Sequence, residues 1–288
     1  MNAALLGLKR LAGALLGVLL LVLTLAAALW VWSGTDSSLP TLVRLAQPYL
    51  PTGQTLQTKD VQGALRSGAH IGWLRWTRGE LAVEAEDITL AWAWLPLLEG
   101  QLKLSKLTVA RLRVDDLRPS QEHAPPKPPS DLQLPFAVDV PFEVTSLTWT
   151  GSTTLQATDL AGNYIFDSYS HKLIKGRGRI SSGIYALDGQ LQAQAPMALD
   201  LQVNGVVETR LPSSQTPLSV TARARLHGAL ADPQAMLNLQ ASLIPDLGKG
   251  PSAKTVKTQA MQAHLSAQIQ PWQTQALHSA NAQWQALN

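Results

Sequence analysis

The sequence predicts a mainly β protein: one N-terminal transmembrane helix followed by an elongated antiparallel β-sheet with a hydrophobic face. Leu11 to Trp32 is an uncharged apolar run of about 22 residues, enough at about 1.5 Å per residue to cross the roughly 30 Å hydrocarbon core of a bilayer. Beyond residue 80, apolar and polar side chains alternate with a period of two, as in strands with one buried and one wet face.

The composition excludes several kinds of partner and site. The 288 residues include 23 Lys and Arg, 20 Asp and Glu and no Cys, for a formal net charge of +3. The basic residues do not cluster among aromatic residues, so we expect no nucleic-acid partner. The absence of Cys excludes disulfides, thiolate metal ligands and a cysteine nucleophile.

Residues 1–33 are interpreted as a cytoplasmic tip and a transmembrane anchor. Lys9 and Arg10 stand just before the apolar run, and Asp36 follows it. The positive-inside rule then leaves the N-terminus in the cytoplasm and the bulk of the chain on the far side of the membrane. The sequence therefore predicts a single-pass protein.

The outer end of the apolar run allows two interpretations. Trp30 and Trp32 lie there, and indole rings favour the membrane interface, which fits a retained anchor. A cleaved signal peptide is the alternative, because residues 26–28 are alanines that suit a signal peptidase. The apolar run continues past these alanines, which favours the anchor.

Residues 34–55 are predicted to contain a short membrane-proximal helix. Apolar residues between Leu39 and Leu50 recur at the spacing of one helix face. Pro48 and Pro51 are expected to close this helix.

Residues 56–118 are interpreted as an N-terminal β region. The apolar residues of 81–85 and 88–94 fall in opposite phases, so a bulge or turn is expected near Glu86 and Asp87. Large rings placed on one face of this region would form either a solid core or a hydrophobic trough; they are Trp73, Trp76, Trp92 and Trp94. Residues 119–135 are rich in proline, which cannot donate to a strand ladder, and are interpreted as a linker or as an excursion at the edge of the sheet.

Residues 136–288 are interpreted as a repetitive antiparallel sheet. Apolar or small residues occupy the odd positions from Leu187 to Val203, and Pro196 divides this stretch into two strands that meet near residues 195–198. The same alternation recurs further along the chain. The candidates for a lipid-facing groove are Leu187, Leu191, Leu199, Leu201, Val203, Leu218, Val220, Leu226, Leu237 and Leu239.

No motif for catalysis, cofactor binding or metal binding is visible, so an enzyme is not expected. Gly176 to Gly178 resembles a phosphate loop only superficially and is interpreted as a turn. The histidines are scattered without the spacing of metal ligands.

Several soft motifs resemble the N-terminal portion of the TamB proteins, which are inner-membrane subunits of the translocation and assembly module within the AsmA-like, bridge-like lipid-transfer group. The uncharged helix is followed by the matching segments 34–37, 56–65, 83–92, 97–102 and 107–110. The resemblance is good to about residue 118 and lies mainly in the pattern thereafter.

This resemblance implies a bacterial inner-membrane protein whose periplasmic part is a long, taco-like β-sheet with a hydrophobic concave face. It also implies a TamA-like outer-membrane barrel as partner, a role in outer-membrane protein assembly, and phospholipid transport between the membranes. TamB proteins are several times longer and end in a characteristic C-terminal domain, so we expect the chain to be a fragment or a truncated reading frame.

Two alternatives share the predicted architecture. One is a single-helix periplasmic β-protein of the lipopolysaccharide-export kind, in which the same face would hold lipopolysaccharide. The other is a structural or adhesive β-repeat protein whose apolar face is a closed core. Low solvent exposure of the whole apolar face would favour the closed core.

Overall fold

The chain forms one open β-sheet with helices at its N-terminal side. A computed structural model describes residues 21–118, 127–151, 153–181, 183–210, 217–246, 262–273 and 275–285. Within them, the 13 strands of the sheet lie side by side in the order of the sequence. A mainly β protein with one large sheet is therefore confirmed.

The strands are eight to 16 residues long. They are β1 (Gln54–Ala64), β2 (Gly68–Arg78), β3 (Leu81–Trp92), β4 (Gln101–Asp116), β5 (Ala137–Thr150), β6 (Thr154–Phe166), β7 (Ser170–Ile180), β8 (Gly183–Gln192), β9 (Ala198–Arg210), β10 (Pro217–Ala229), β11 (Leu237–Asp246), β12 (Gln262–Ile269) and β13 (Leu277–Gln285).

One strand pair departs from the antiparallel pattern. Every other neighbouring pair is antiparallel, but β4 and β5 run parallel, with Gln101 opposite Ala137 and Asp115 opposite Thr150. The chain must therefore return along the full length of β4, which is about 50 Å at roughly 3.3 Å per residue. The 20 residues between Asp116 and Ala137 are enough to cover that distance. The predicted antiparallel arrangement therefore holds for every neighbouring pair of strands except β4 and β5.

The helical part begins with α1, of which residues 21–33 are described. The predicted anchor starts at Leu11, and residues 1–20 lie outside the described part of the chain. No helix in the described part is both long enough and apolar enough to span a membrane. Helix α2 (Ser38–Ala46) follows and continues as a 3-10 helix (Gln47–Tyr49), which agrees with the helical spacing of this segment.

The phase change predicted near Glu86 and Asp87 is confirmed and is part of a larger feature. Asp87 has a φ of 52°, which interrupts the alternation of β3. The strand registers place Asp87 in line with one residue on each of the other five strands of β1–β6. These positions form a kink row across β1–β6: Asp60, Gly72, Asp87, Ala110, Thr145 and Asp159. Because six strands shift their alternation at one level, apolar side chains on both sides of the row stay on one face of the sheet.

Two placements made from the sequence are wrong. Gly176 and Gly178 lie inside strand β7, and the turn comes only after Ile180, because the two glycines continue the pairing with β8. Trp94 does not continue the apolar face of β3, which ends at Trp92. It lies instead at the N-cap of a short helix, α3 (Leu95–Leu98).

Candidate functional site

The strand registers place all the groove candidates on one face of the sheet, which we call the apolar face. Leu187 lies opposite Val203, and Leu191 lies opposite Leu199. Leu226 lies between Leu201 on β9 and Leu239 on β11. Leu218, Val220 and Leu237 share this face because they are an even number of residues from registered positions on the same strands.

Apolar rows run across the strands on this face as well as along them. One row joins Leu187, Val203, Ala224, Ala241, Leu265 and Ala282 on six successive strands. At about 4.8 Å between strands, this row is roughly 24 Å long. The face is therefore a continuous surface, whereas the sequence alone showed only separate stripes.

The apolar face is only partly shielded from solvent. Leu237 is 5% exposed, but Leu243 on the same strand is 41% exposed, and most of the groove candidates are half-buried. All the described strands belong to this single sheet, so no second sheet among them packs on the face. A fully closed core, in which the whole face would be buried, does not describe this arrangement.

Glycines let large side chains lie flat against part of the apolar face. Tyr185 lies over Gly205, where an added Cβ would come 2.5 Å from the Tyr185 ring. Leu201 likewise lies over Gly189, where an added Cβ would come 2.7 Å from a Leu201 methyl group. Side chains that lie flat leave space above them. The sequence showed glycines within the apolar phase but not which neighbours cover them.

Two elements cover the apolar face near one end of the strands, which we call the helix end because α1 and α2 meet the sheet there. The helix end carries the β1–β2, β3–β4, β6–β7 and β8–β9 connections. Helix α2 covers the β1–β4 side, where Leu39 and Val43 pack in a cluster with Ile71 and Ile88.

The second cover is the end of the β4–β5 crossover, residues 127–136, which we call the strap. The Leu132 N–H donates to the Ala193 carbonyl at 3.0 Å, and the Gln133 side chain donates to the Ser168 carbonyl at 3.1 Å. The Leu132 carbonyl lies 2.8 Å from Nε2 of His171, which is registered between Phe166 and Leu191 on the apolar face. The strap therefore lies over the apolar face of β6–β8.

The contacts of His171 fix its hydrogen-bonding pattern. A carbonyl oxygen only accepts, so Nε2 donates to Leu132. In the neutral ring Nδ1 then accepts from the Tyr164 hydroxyl, 2.7 Å away. Burial raises the pKa of Tyr164, which keeps the hydroxyl protonated and able to donate. The His171 ring also stacks on Phe166 with ring centroids 4.7 Å apart.

The β6–β7 turn beside the strap is held by an ion pair. Lys172 Nζ lies 2.7 Å from Asp167 Oδ2. This hydrogen bond, together with the backbone N–H groups of Ser170 and Tyr169, holds the pKa of Asp167 well below its usual range. The turn therefore offers fixed carbonyls to the strap and to the β8–β9 connection.

The proposed membrane-interface residues lie where α1 meets the helix end of the sheet. The Trp30 ring packs edge-on against Trp94 with centroids 4.6 Å apart, and the Arg66 guanidinium lies 4.4 Å from the Trp30 centroid. Trp32 is half-buried, and its carbonyl accepts a hydrogen bond from Thr35. The end of α1 is therefore joined to two sheet connections.

The family comparison agrees with these features. Residues 24–143, from α1 into β5, match the family model described as TamB, N-terminal domain. The N-terminal portion of this chain is of the TamB type. No curated protein and no solved structure matches the chain. The TamB match indicates a TamB-like role in the translocation and assembly module, with membrane association and, in general terms, an outer-membrane partner.

The face of the sheet opposite the apolar face is charged. Arg225 donates two hydrogen bonds to Asp200 at 2.8 and 2.9 Å, and this contact lowers the pKa of Asp200. Trp73 also lies on this face, where its indole N–H donates to Glu84. The prediction of a single core or trough required all four tryptophans to lie on one face. Because Trp73 lies on the opposite face, that prediction is wrong. In the part of the chain that is described, no three His, Asp or Glu side chains are placed to hold a metal ion.

Sequence reasoning missed three features of the site. They are the Arg66 contact with Trp30, the His171 contact with the strap, and the alignment of the kink row. The first two join residues that are 36 and 39 positions apart, and the third depends on the register of six strands. Only the phase change at Asp87 left a signal in the sequence.

Proposed function

We propose that this chain is a TamB-like component of the translocation and assembly module, anchored in the bacterial inner membrane by Leu11 to Trp32. In this proposal the sheet curves in the periplasm so that the apolar face becomes a hydrophobic groove for phospholipid acyl chains. The chain would assist outer-membrane protein assembly with a TamA-like barrel. The proposed role is non-enzymatic, since the groove itself would bind the lipid and no reaction is required.

The continuous, half-exposed apolar face carries this proposal. An acyl chain that crosses water needs an unbroken apolar surface, because each exposed methylene costs about 0.8 kcal/mol. The row from Leu187 through Val203 to Leu265 supplies such a surface across successive strands. Partial exposure of this face also supports a groove over a closed structural core, which would leave no room for a ligand.

The test is site-specific photo-crosslinking in the full chain in cells. A photo-reactive amino acid replaces Leu201, and the matched control replaces Gln202, the next residue along β9, which faces the opposite side and is exposed. We expect phospholipid adducts at Leu201 and none at Gln202.

Other outcomes would identify other functions. Lipopolysaccharide adducts at Leu201 would favour the export-type alternative. Recovery of no lipid at Leu201, Leu226 and Leu239 would contradict a lipid groove and favour a structural role for the face.

A further inference from the structure

A group of exposed apolar side chains lies at the helix end of the sheet, around α3 and the last residue of the strap. Leu95 is 61% exposed and Leu97 is 45% exposed on α3, in the connection between β3 and β4. Phe136 is also exposed, and the N–H of Ala137 beside it donates to the Gly100 carbonyl just after α3. We call Leu95, Leu97 and Phe136 the surface patch.

The surface patch lies next to the end of α1. Trp94 is the N-cap of α3, and its ring packs against Trp30 of α1 with centroids 4.6 Å apart. Leu95 follows directly in the chain. The patch therefore begins at the level of the α1 residues predicted to lie at the membrane interface.

Further contacts fix this corner of the molecule. Trp92 Nε1 donates to the Leu65 carbonyl at 2.8 Å, and the Leu65 N–H donates to Ser38 Oγ at 3.1 Å. Ser38 is fully buried at the start of α2. Next to Leu65, the Arg66 guanidinium lies over the Trp30 ring. The end of α1, the start of α2 and the end of β3 are thus all joined to the β1–β2 connection, so the patch cannot swing freely away from α1.

We propose that the surface patch docks on the bilayer, inserting Leu95, Leu97 and Phe136 into the interfacial layer of the leaflet from which α1 emerges. This inference rests on the proposed anchoring of α1. Short apolar segments bind membranes by burying side chains at the boundary between headgroups and acyl chains. The patch is continuous with α1 through Trp94, so a membrane that surrounds α1 also meets the patch. The Arg66 guanidinium lies over the Trp30 ring, so in the docked chain this cation would lie near the lipid phosphates.

Docking would fix the orientation of the sheet as well as its attachment. A single helix tethers a domain but leaves it free to tilt, whereas a second contact at α3 defines how the helix end meets the membrane. The helix end is also where α2 and the strap cover the apolar face. The covered end of the face would then lie at the bilayer surface.

Depth-dependent fluorescence quenching tests this proposal in the full chain. The sequence has no Cys, so each introduced cysteine is a unique labelling site. The variant Leu97→Cys carries a nitrobenzoxadiazole label in nanodiscs of phosphatidylethanolamine and phosphatidylglycerol, with or without doxyl-labelled lipid. Val31→Cys on α1 reports the anchor. Tyr49→Cys is the matched control, because Tyr49 is 87% exposed but precedes the start of β1 at the opposite end of the strands.

We expect doxyl lipid to quench the label about twofold or more at positions 97 and 31, and to leave the label at position 49 unchanged, because only interfacial labels collide with the nitroxide. Quenching at position 31 without quenching at position 97 would overturn the docking and leave the anchor intact. No quenching at position 31 would overturn the anchor and the docking with it. Equal quenching at position 49 would mean that the sheet lies flat, which also contradicts docking by the patch.

A second variant separates insertion from mere proximity. The double substitution Leu95→Asp and Leu97→Asp is combined with a label at Phe136→Cys or at Val31→Cys. We expect the quenching at position 136 to be lost and the quenching at position 31 to be retained, because carboxylates are expelled from the interface. Unchanged quenching at position 136 would show that the two leucines do not hold the patch on the membrane.

Discussion

Three aspartates of the kink row have a backbone conformation that most residues avoid. Asp60, Asp87 and Asp159 have φ values of 53°, 52° and 54°. Short polar residues tolerate this left-handed region better than branched ones. Gly72 completes the row between Asp60 and Asp87, because a Cβ at Gly72 would lie 3.0 Å from the Cβ of Asp60. The backbone therefore restricts which residues fit this row, independently of their charge.

Asp87→Val tests this restriction. A branched residue at this φ should reduce the free energy of unfolding by about 1–2 kcal/mol, whereas Asp87→Gly should be nearly neutral. The ion pair of Asp87 with His70 spans 3.7 Å at the exposed surface, so its loss costs little. The measurement is the thermal unfolding midpoint of the full chain by tryptophan fluorescence. Thr89→Val is the control on the same strand, and equal midpoints for Asp87→Val and Thr89→Val would contradict the argument.

The contrast between Asp87 and the other members of the row shows what sequence can predict at this scale. The phase change around Asp87 is visible because apolar residues flank it on both sides. Asp60 has no such flanks, and its alignment with Gly72 follows only from the register of β1 and β2. A row across strands is a property of pairing, which a single strand's pattern does not contain.

At the scale of elements, the β4–β5 crossover is the feature that most changes the predicted architecture. Its proline content predicted a linker, and a linker of that composition fits either a turn back or a full crossover. The parallel pairing depends on where β5 begins beside Gln101, which no local pattern specifies. The crossover also supplies the strap, so the same segment that returns the chain to the helix end covers part of the apolar face.

His171→Phe tests how the strap is held. Phe keeps the stacking on Phe166 but removes the hydrogen bond to the Leu132 carbonyl. The loss of about 1–2 kcal/mol should accelerate hydrogen exchange of the Leu132 amide about 5- to 30-fold. The measurement is hydrogen exchange of the peptide that contains Leu132. His70→Phe, on the opposite face, is the control, and equal exchange in the two variants would show that His171 does not hold the strap.

At the scale of the whole molecule, the single-layer sheet distributes its stability unevenly. The described buried clusters lie in the first part of the sheet, around Ile71, Ile88 and Phe166. On β13 the described side chains from Leu277 to Gln283 are all exposed. Each strand of an elongated sheet contacts mainly its neighbours, so local opening follows local burial. The uncovered part of the apolar face, which is best placed to accept a ligand, thus lies in the less stable part of the molecule.

Hydrogen exchange along the full chain should show this gradient and its response to lipid. Without lipid, we expect protection to fall from β3 towards β13. A ligand that binds only the folded state stabilises the strands that it contacts. Phospholipid should therefore increase protection in β9–β13, where neither α2 nor the strap covers the apolar face, and leave β2–β4 unchanged, where α2 already covers it. Protection that rises in all strands together, or in none, would contradict binding on the open part of the face.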